Sequence, residues 1–294
     1  MSRWFVYSVV AIVIWGGWGL IGKETKLDPL LMTALSTIGV AGVAVFLLFS
    51  PGLKTGKNHG RGMAMAFITG IFGNFGNLTY LKALKVGDAS LVAPFTALYS
   101  AVTVALAFVL LRDRMNRVQW AGFVLALTAV GLYSTIGSDA AKQGFVVGDW
   151  MLWASGTAVC FGIAAVTQKI ATNHISNELS LVCFAASYVP VGAAILILGG
   201  PFDWDIPRIE WIWALLYGAG ISVGTLVLFA AYRWGKASVV TALTGLYPVL
   251  TAILALSLPR YGEPYTSLKG VAILLAAAAG MALTWEEKKA EAGA

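Results

Sequence analysis

Ten apolar stretches, each about 20 residues long and parted by short polar or glycine-bearing breaks, recur along the chain. A stretch of that length crosses a bilayer as a helix. They fall at about 5–22, 29–49, 62–82, 89–111, 118–136, 148–170, 179–199, 210–232, 238–258 and 267–285, together roughly 70% of the chain. Only short loops remain between them, so no soluble domain fits and the spans must carry the function. The expected fold class is an all-α polytopic membrane protein with ten transmembrane helices. The first stretch, Trp4 to Ile21, is longer than the apolar part of a secretory signal, and no small-x-small cleavage site closes it. It reads as a retained helix.

Residues 86–100, VGDASLVAPFTALYS, and 234–248, WGKASVVTALTGLYP, match at seven of fifteen positions at an offset of 148 residues, about half the chain. The first copy bridges spans three and four, the second spans eight and nine. Five crossings separate them, and five is odd, so the copies face opposite sides of the membrane. Two inverted-topology five-helix repeats are therefore expected, over 1–136 and 148–285, with 286–294 a short cytoplasmic tail. Trp15-Gly16 against Phe161-Gly162 and Lys23 against Lys169 agree at an offset of 146, while Gly122 and Gly270 open the last helix of each half. Shared Gly, Ser, Thr and Tyr are not what apolar composition alone demands. Within the motif, Gly87 and Gly235 suit left-handed helix ends, and Ser90 and Ser238 suit the next helix cap. Pro94 is expected in a first turn, where its missing N–H does little harm. Pro248 is expected mid-span, as a hinge that frees a backbone carbonyl. Inverted repeats are the plan of secondary transporters that alternate access around a midplane site.

Composition agrees with the spans: 59% of the 294 residues are hydrophobic and 12% charged, where soluble domains run near a quarter charged. The net charge of +6 does not point to nucleic acid, because the basic residues sit at span ends. Placing the N-terminus and alternate loops on one side collects 12 of the 20 Lys and Arg there, which puts both termini in the cytoplasm. Cys160 and Cys183 fall inside spans without metal-ligand spacing and read as small buried hydrophobes. His59 and His174 lie in loops with no motif of two metal ligands beside either. No metal and no cofactor is called for, and an integral-membrane enzyme is the remote reading.

The stretch 81–134, LKALKVGDASLVAPFTALYSAVTVALAFVLLRDRMNRVQWAGFVLALTAVGLYS, resembles the second part of an EamA domain, as does 229–285 in the other half. Trp15-Gly16 followed by Lys23 resembles that family's opening helix. The resemblance is to the EamA branch of the drug/metabolite transporter superfamily and covers nearly all of the chain. It implies a ten-helix carrier of small metabolites, often working outward. Three features depart from the family pattern. Its Glu-Arg pair is Asp113-Arg114 in one half and Glu263-Pro264 in the other. A basic residue of the second helix is replaced around Ser36. No acid lies between Trp4 and Gly22, where multidrug-resistance relatives have one.

The span interiors hold no carboxylate near mid-depth, and such groups are the usual proton relays and cation sites. Transport is therefore not expected to depend on a single membrane carboxylate. In GNFGNLTY, Asn74, Asn77 and Tyr80 are spaced three apart and share a helix face beside Gly70, Gly73 and Gly76. They line a cavity or act as interhelical glue. Trp15 is a candidate for contact with the solute, while Trp18, one turn on, suits a belt anchor better. Tyr99 and Thr103 on span four, with Tyr247 and Thr251 on span nine, are equivalent pairs suited to a cavity or to packing between halves. Lys23 and Lys169, with Gln168 beside the latter, are gate charges or snorkel to headgroups. Lys82 and Lys85 read as interfacial anchors.

The expected function is transport of a small polar or zwitterionic metabolite, an amino acid or related compound, across a bacterial inner membrane. The expected partners are that solute and the lipid bilayer, with the protein a monomer or homodimer. A lipid flippase or scramblase is the alternative.

Overall fold

The computed structural model describes residues 2–54, 56–110, 116–136, 148–234, 240 and 243–285. The described residues form eleven α-helices: α1 Arg3–Glu24, α2 Pro29–Leu47, α3 His59–Val86, α4 Ala89–Thr96, α5 Tyr99–Leu110, α6 Arg117–Thr135, α7 Asp149–Thr172, α8 Asn177–Leu198, α9 Arg208–Trp234, α10 Tyr247–Ser257 and α11 Ser267–Leu283. A 3₁₀ turn at Pro51–Lys54 sits between α2 and α3. Their starts follow local chemistry. Asp28 accepts from the Leu30 N–H with Pro29 in the first turn of α2. Asn116 and Gln119 close a reciprocal capping box on α6. Ser176 and Thr266 cap α8 and α11.

Seven described segments are long and apolar enough to cross a membrane. They are α1, α2, α6, α7, α8, residues 89–106 running through α4 and α5, and residues 208–228 of α9. The helix α3 has 28 residues, ample length, but its Gly, Asn and Thr dilute its hydropathy. The helices α10 and α11 are shorter apolar segments. Outward faces stay apolar: Phe46, Phe49, Ile197 and Leu198 are each more than three-quarters exposed. Helices apolar on both faces need a hydrocarbon solvent outside as well as a core within. The protein is an integral, multi-pass membrane protein.

The packing exchanges when the halves are exchanged. The first helix of one half lies on the third of the other, α1 on α9 and α7 on α3. The second helices α2 and α8 pack together, and the last ones, α6 and α11, pair. Between α4 and α5 the helix breaks at Ala97-Leu98, and before α10 it breaks at Gly245-Leu246, 148 residues further on. Glycine makes the tightest of these contacts. A Cβ on Gly39 would lie 2.3 Å from the Leu215 carbonyl oxygen, and one on Gly218 would lie 1.9 Å from that of Ser36. Close backbone approach through small residues is how helices associate where lipid removes the hydrophobic drive.

Several expectations about the repeated motif are corrected. Gly87 is extended (φ −137°, ψ 166°), not left-handed. Its hydrogen is needed because a Cβ would lie 2.6 Å from that of Trp150. Ser90 lies inside α4 rather than capping it. The carboxylate of Glu263 caps α4 instead, accepting from the N–H groups of Ala89 (2.7 Å) and Ser90 (3.0 Å). Pro94 lies in the second turn of α4, and Pro248 sits in the first turn of α10, after the break rather than mid-helix. Gly235, Ser238, Asp113, Arg114 and the tail 286–294 lie outside the described residues.

Candidate functional site

A cavity of about 210 Å³ lies where the two halves meet. Its walls are Trp15 and Trp18 of α1, Thr69, Gly73 and Asn77 of α3, Tyr99, and Phe161, Ala164, Ala165 and Gln168 of α7. Leu181, Phe184 and Tyr188 of α8, Ile221 and Thr225 of α9, and Tyr247 complete it. Five pairs in this wall are equivalent between the halves: Trp15 with Phe161 and Trp18 with Ala164 at an offset of 146, and Gly73 with Ile221, Asn77 with Thr225 and Tyr99 with Tyr247 at 148. A cavity lined by both members of each pair straddles the axis that relates the repeats. Among the described residues, no lining residue carries a formal charge.

The aromatic walls brace one another. Trp15 meets Tyr247 edge-on with centroids 5.5 Å apart, its indole resting in the notch at Gly224. Trp18 is stacked between Tyr80 (5.2 Å) and Tyr217 (5.0 Å). It is 6% exposed and lies inside the bundle, not in an interfacial belt as its sequence position suggests. Asn77 donates its amide N–H to the Tyr188 hydroxyl at 2.8 Å, and Gln168 donates to Ser180 Oγ at 3.2 Å.

Of the candidates read from the sequence, Trp15, Asn77, Tyr99, Tyr247 and Gln168 are brought together in this cavity. The others lie elsewhere. Tyr80 is buried and donates to the Gly19 carbonyl. Asn74 is wholly buried away from the cavity, so the shared face of Asn74, Asn77 and Tyr80 is divided between neighbours. Thr251 donates to the carbonyls of Gly16 and Tyr247, and Thr103 to those of Tyr99 and Gly162, which makes both packing residues. Pro248 is buried beside the break. Sequence reading passed over Thr69, Phe184, Tyr188, Ile221 and Thr225. The repeat offset, applied to Gly73 and Asn77, points to the last two.

One end of the bundle is closed by polar contacts. Lys23 donates to the carbonyls of Leu84 (3.0 Å) and Gly87 (2.6 Å) at the end of α3. Lys85 in return donates to the Thr25 carbonyl at the end of α1. Each lysine thus satisfies the other helix's unpaired C-terminal carbonyls. Lys23 is therefore not a headgroup snorkel, and Lys85 is more than an anchor. Beside them the Lys269 ammonium, its side chain 3% exposed, meets Asp88 at 2.8 Å. Arg260 meets Glu24 at 2.9 Å, and Glu210 accepts from the Thr25 hydroxyl at 2.7 Å. Tyr261 donates to Glu24, and burial with that carboxylate beside it pushes its pKa up to about 12, so the phenol keeps its proton.

The opposite end is arranged differently. Lys169, the counterpart of Lys23, is exposed. Ala165 and Gln168 face the cavity. Their equivalents Gly19 and Gly22 are covered by Thr251, Tyr80, Leu81 and Leu84. The cavity thus reaches from mid-depth toward the end where α7 stops and α8 starts, and is sealed toward the other.

Two helical repeats around a shared, uncharged central cavity define a membrane transport fold. The model of the EamA-like transporter family matches residues 2–135 and 149–285. The chain belongs to that family, whose members are transporters and not enzymes. A solved structure described only as a crystal structure of protein is similar over 93% of this chain and 94% of its own, with a TM-score of 0.61 and 22% identity. That likeness bears on the fold alone. No curated protein matches the chain.

Proposed function

We propose that the protein is a secondary carrier that moves a small polar or zwitterionic metabolite, an amino acid or related compound, outward by alternating access. The observation that carries this reading is the cavity lined by five symmetry-related pairs. A site shared by two equivalent halves can be sealed by either half in turn, so that a state open at one end has a mirror open at the other. The closed polar end and the cavity reaching toward the other are the asymmetry that such a cycle requires. In this reading the ten apolar stretches are ten crossings, inverted between halves, in a bacterial inner membrane with both termini in the cytoplasm. The carrier works as a monomer or homodimer. Lipid translocation is the alternative.

The test is counterflow in proteoliposomes preloaded in turn with amino acids, amines, nucleosides or sugars. Saturable exchange of one chemical class, abolished by Asn77→Leu, supports the carrier. No exchange of any soluble class, together with scrambling of a fluorescent phospholipid, would replace it with a lipid transporter.

A further inference from the structure

The polarity of the cavity wall, with its ring faces, chooses between the two ends of a zwitterion. This inference rests on the carrier reading above and names the chemistry that its site recognises. We infer that the cavity holds its solute by an amine or ammonium group and offers no charged partner to a carboxylate or phosphate.

Several of the wall's donors are already engaged within it. One N–H of the Asn77 amide is committed to Tyr188 and one of Gln168 to Ser180. The Thr225 hydroxyl donates to the Ile221 carbonyl at 2.8 Å. The Thr69 hydroxyl lies 2.8 Å from both the Met65 carbonyl and the Thr167 hydroxyl. Besides one further N–H on each amide, these groups offer an occupant amide oxygens and hydroxyl lone pairs. The Trp18 indole N–H, buried without a partner among the described residues, is a neutral donor rather than a cation. The helix breaks add little for an anion. The N–H groups of Leu98, Ser100 and Ala101 are bonded within the first break, those of Leu246, Val249 and Leu250 within the second, and Pro248 has none.

Much of the rest of the wall is aromatic, with Trp15, Phe161, Phe184 and the rings of Tyr99 and Tyr247 beside the aliphatic Ala164, Ala165, Leu181 and Ile221. Both ring faces of Trp18 are covered by Tyr80 and Tyr217. Ring faces carry negative quadrupole charge, attracting a cation and repelling an anion, most strongly where water is excluded. No lysine or arginine lies in the wall among the described residues, and a buried anion without a partner is strongly disfavoured. The space also sets a size. A dry cavity of about 150 Å³ takes benzene, so about 210 Å³ suits one ring with a two- or three-atom amine arm.

Four solutes built on one phenylalkyl body isolate the charge: 2-phenylethylamine, phenylalanine, 3-phenylpropanoate and 2-phenylethanol. Each is titrated into the detergent-purified protein by calorimetry at neutral pH. The amine is expected to bind about tenfold or more tightly than the propanoate, with phenylalanine between. Thr225→Val and Trp15→Leu should each weaken the amine about fivefold while changing the alcohol less than about twofold. Unliganded melting curves identify any variant that has simply unfolded, and the wild-type series decides the matter without them. Propanoate binding as tightly as the amine, or no binding by any of the four, overturns the inference. If propanoate or another anion is carried in the counterflow assay, the carrier reading stands and this one falls. If no soluble class is exchanged and lipid is scrambled, both fall.

Discussion

The Thr251 hydroxyl donates to the Gly16 carbonyl at 3.0 Å, tying α10 to the first helix of the other half. The equivalent pair repeats the contact, Thr103 to Gly162, at 3.5 Å. Around each, the glycine admits an equivalent side chain: Leu250 would lie 2.7 Å from a Cβ on Gly16, and Val102 2.6 Å from one on Gly162. The halves are locked by one contact made twice. Thr251→Val, nearly isosteric, is expected to lower unfolding stability in mixed micelles by about 1 kcal/mol. Thr103→Val should cost less, because its bond is longer. Equal losses would show that the shorter bond contributes nothing extra.

Gly39 and Gly42, one turn apart on α2, separate packing from propensity. A Cβ at Gly39 runs into the backbone of α9, 2.8 Å from the Ala219 nitrogen as well as against Leu215, while at Gly42 it meets nothing within 4 Å. Backbone cannot swing aside as a side-chain tip does. Gly39→Ala is expected to destabilise by about 3 kcal/mol. Gly42→Ala should be neutral or stabilising by up to about 1 kcal/mol. Denaturant titration of the two variants side by side checks the contrast, and a reversed order would mean that α2 and α9 do not pack as described.

Lys269 and Asp88 form an unequal pair, since the lysine side chain is 3% exposed and the aspartate 38%. Removing the acid strands a buried cation with only the Pro264 carbonyl at 3.0 Å. Removing the lysine leaves an acid that water already reaches. Asp88→Asn is therefore expected to cost about 3 kcal/mol, the low end for breaking a buried pair. Lys269→Met should cost distinctly less, and the double variant should recover part of the Asp88→Asn loss. Thermal unfolding of the three gives the cycle.

The scaffold was readable where the signal was long and the site where it was doubled. Hydropathy located the described helices but not the breaks at Ala97-Leu98 and Gly245-Leu246. The duplicated motif paired Tyr99 with Tyr247 while leaving open whether they line a cavity or pack between halves. The failures were local. Gly87 looked like a left-handed helix end, but Trp150 of another helix is what requires glycine there. Ser90 looked like a cap, but Glu263, 173 residues away, supplies the acceptor. The spacing of Asn74, Asn77 and Tyr80 identified a face without saying which neighbour each residue meets. Tyr188 carries no local mark at all: only the packing of α8 on α3 brings its hydroxyl to Asn77. Long-range partners decide such positions, and a single helix period does not contain them.

The reciprocal contacts of Lys23 and Lys85 predict how the closed end opens. Lys23→Met removes two charge-assisted hydrogen bonds to the end of α3, each worth about 1.5–3 kcal/mol. Only part of that total biases the closed form over the open one, and about 1.4 kcal/mol suffices for a tenfold change in their ratio. The readout is maleimide labelling in a background with Cys160 and Cys183 replaced by alanine. Single cysteines are then placed at Gln168, which faces the cavity, and at Leu81, which is wholly buried at the closed end. With Lys23 present, the cysteine at 168 should react quickly with a bulky hydrophilic maleimide and that at 81 slowly. With Lys23→Met, labelling at 81 should rise about tenfold and labelling at 168 should fall. A rise at both positions would mean that the variant merely loosens the bundle. No change at 81 would mean that Lys23 does not hold this end shut.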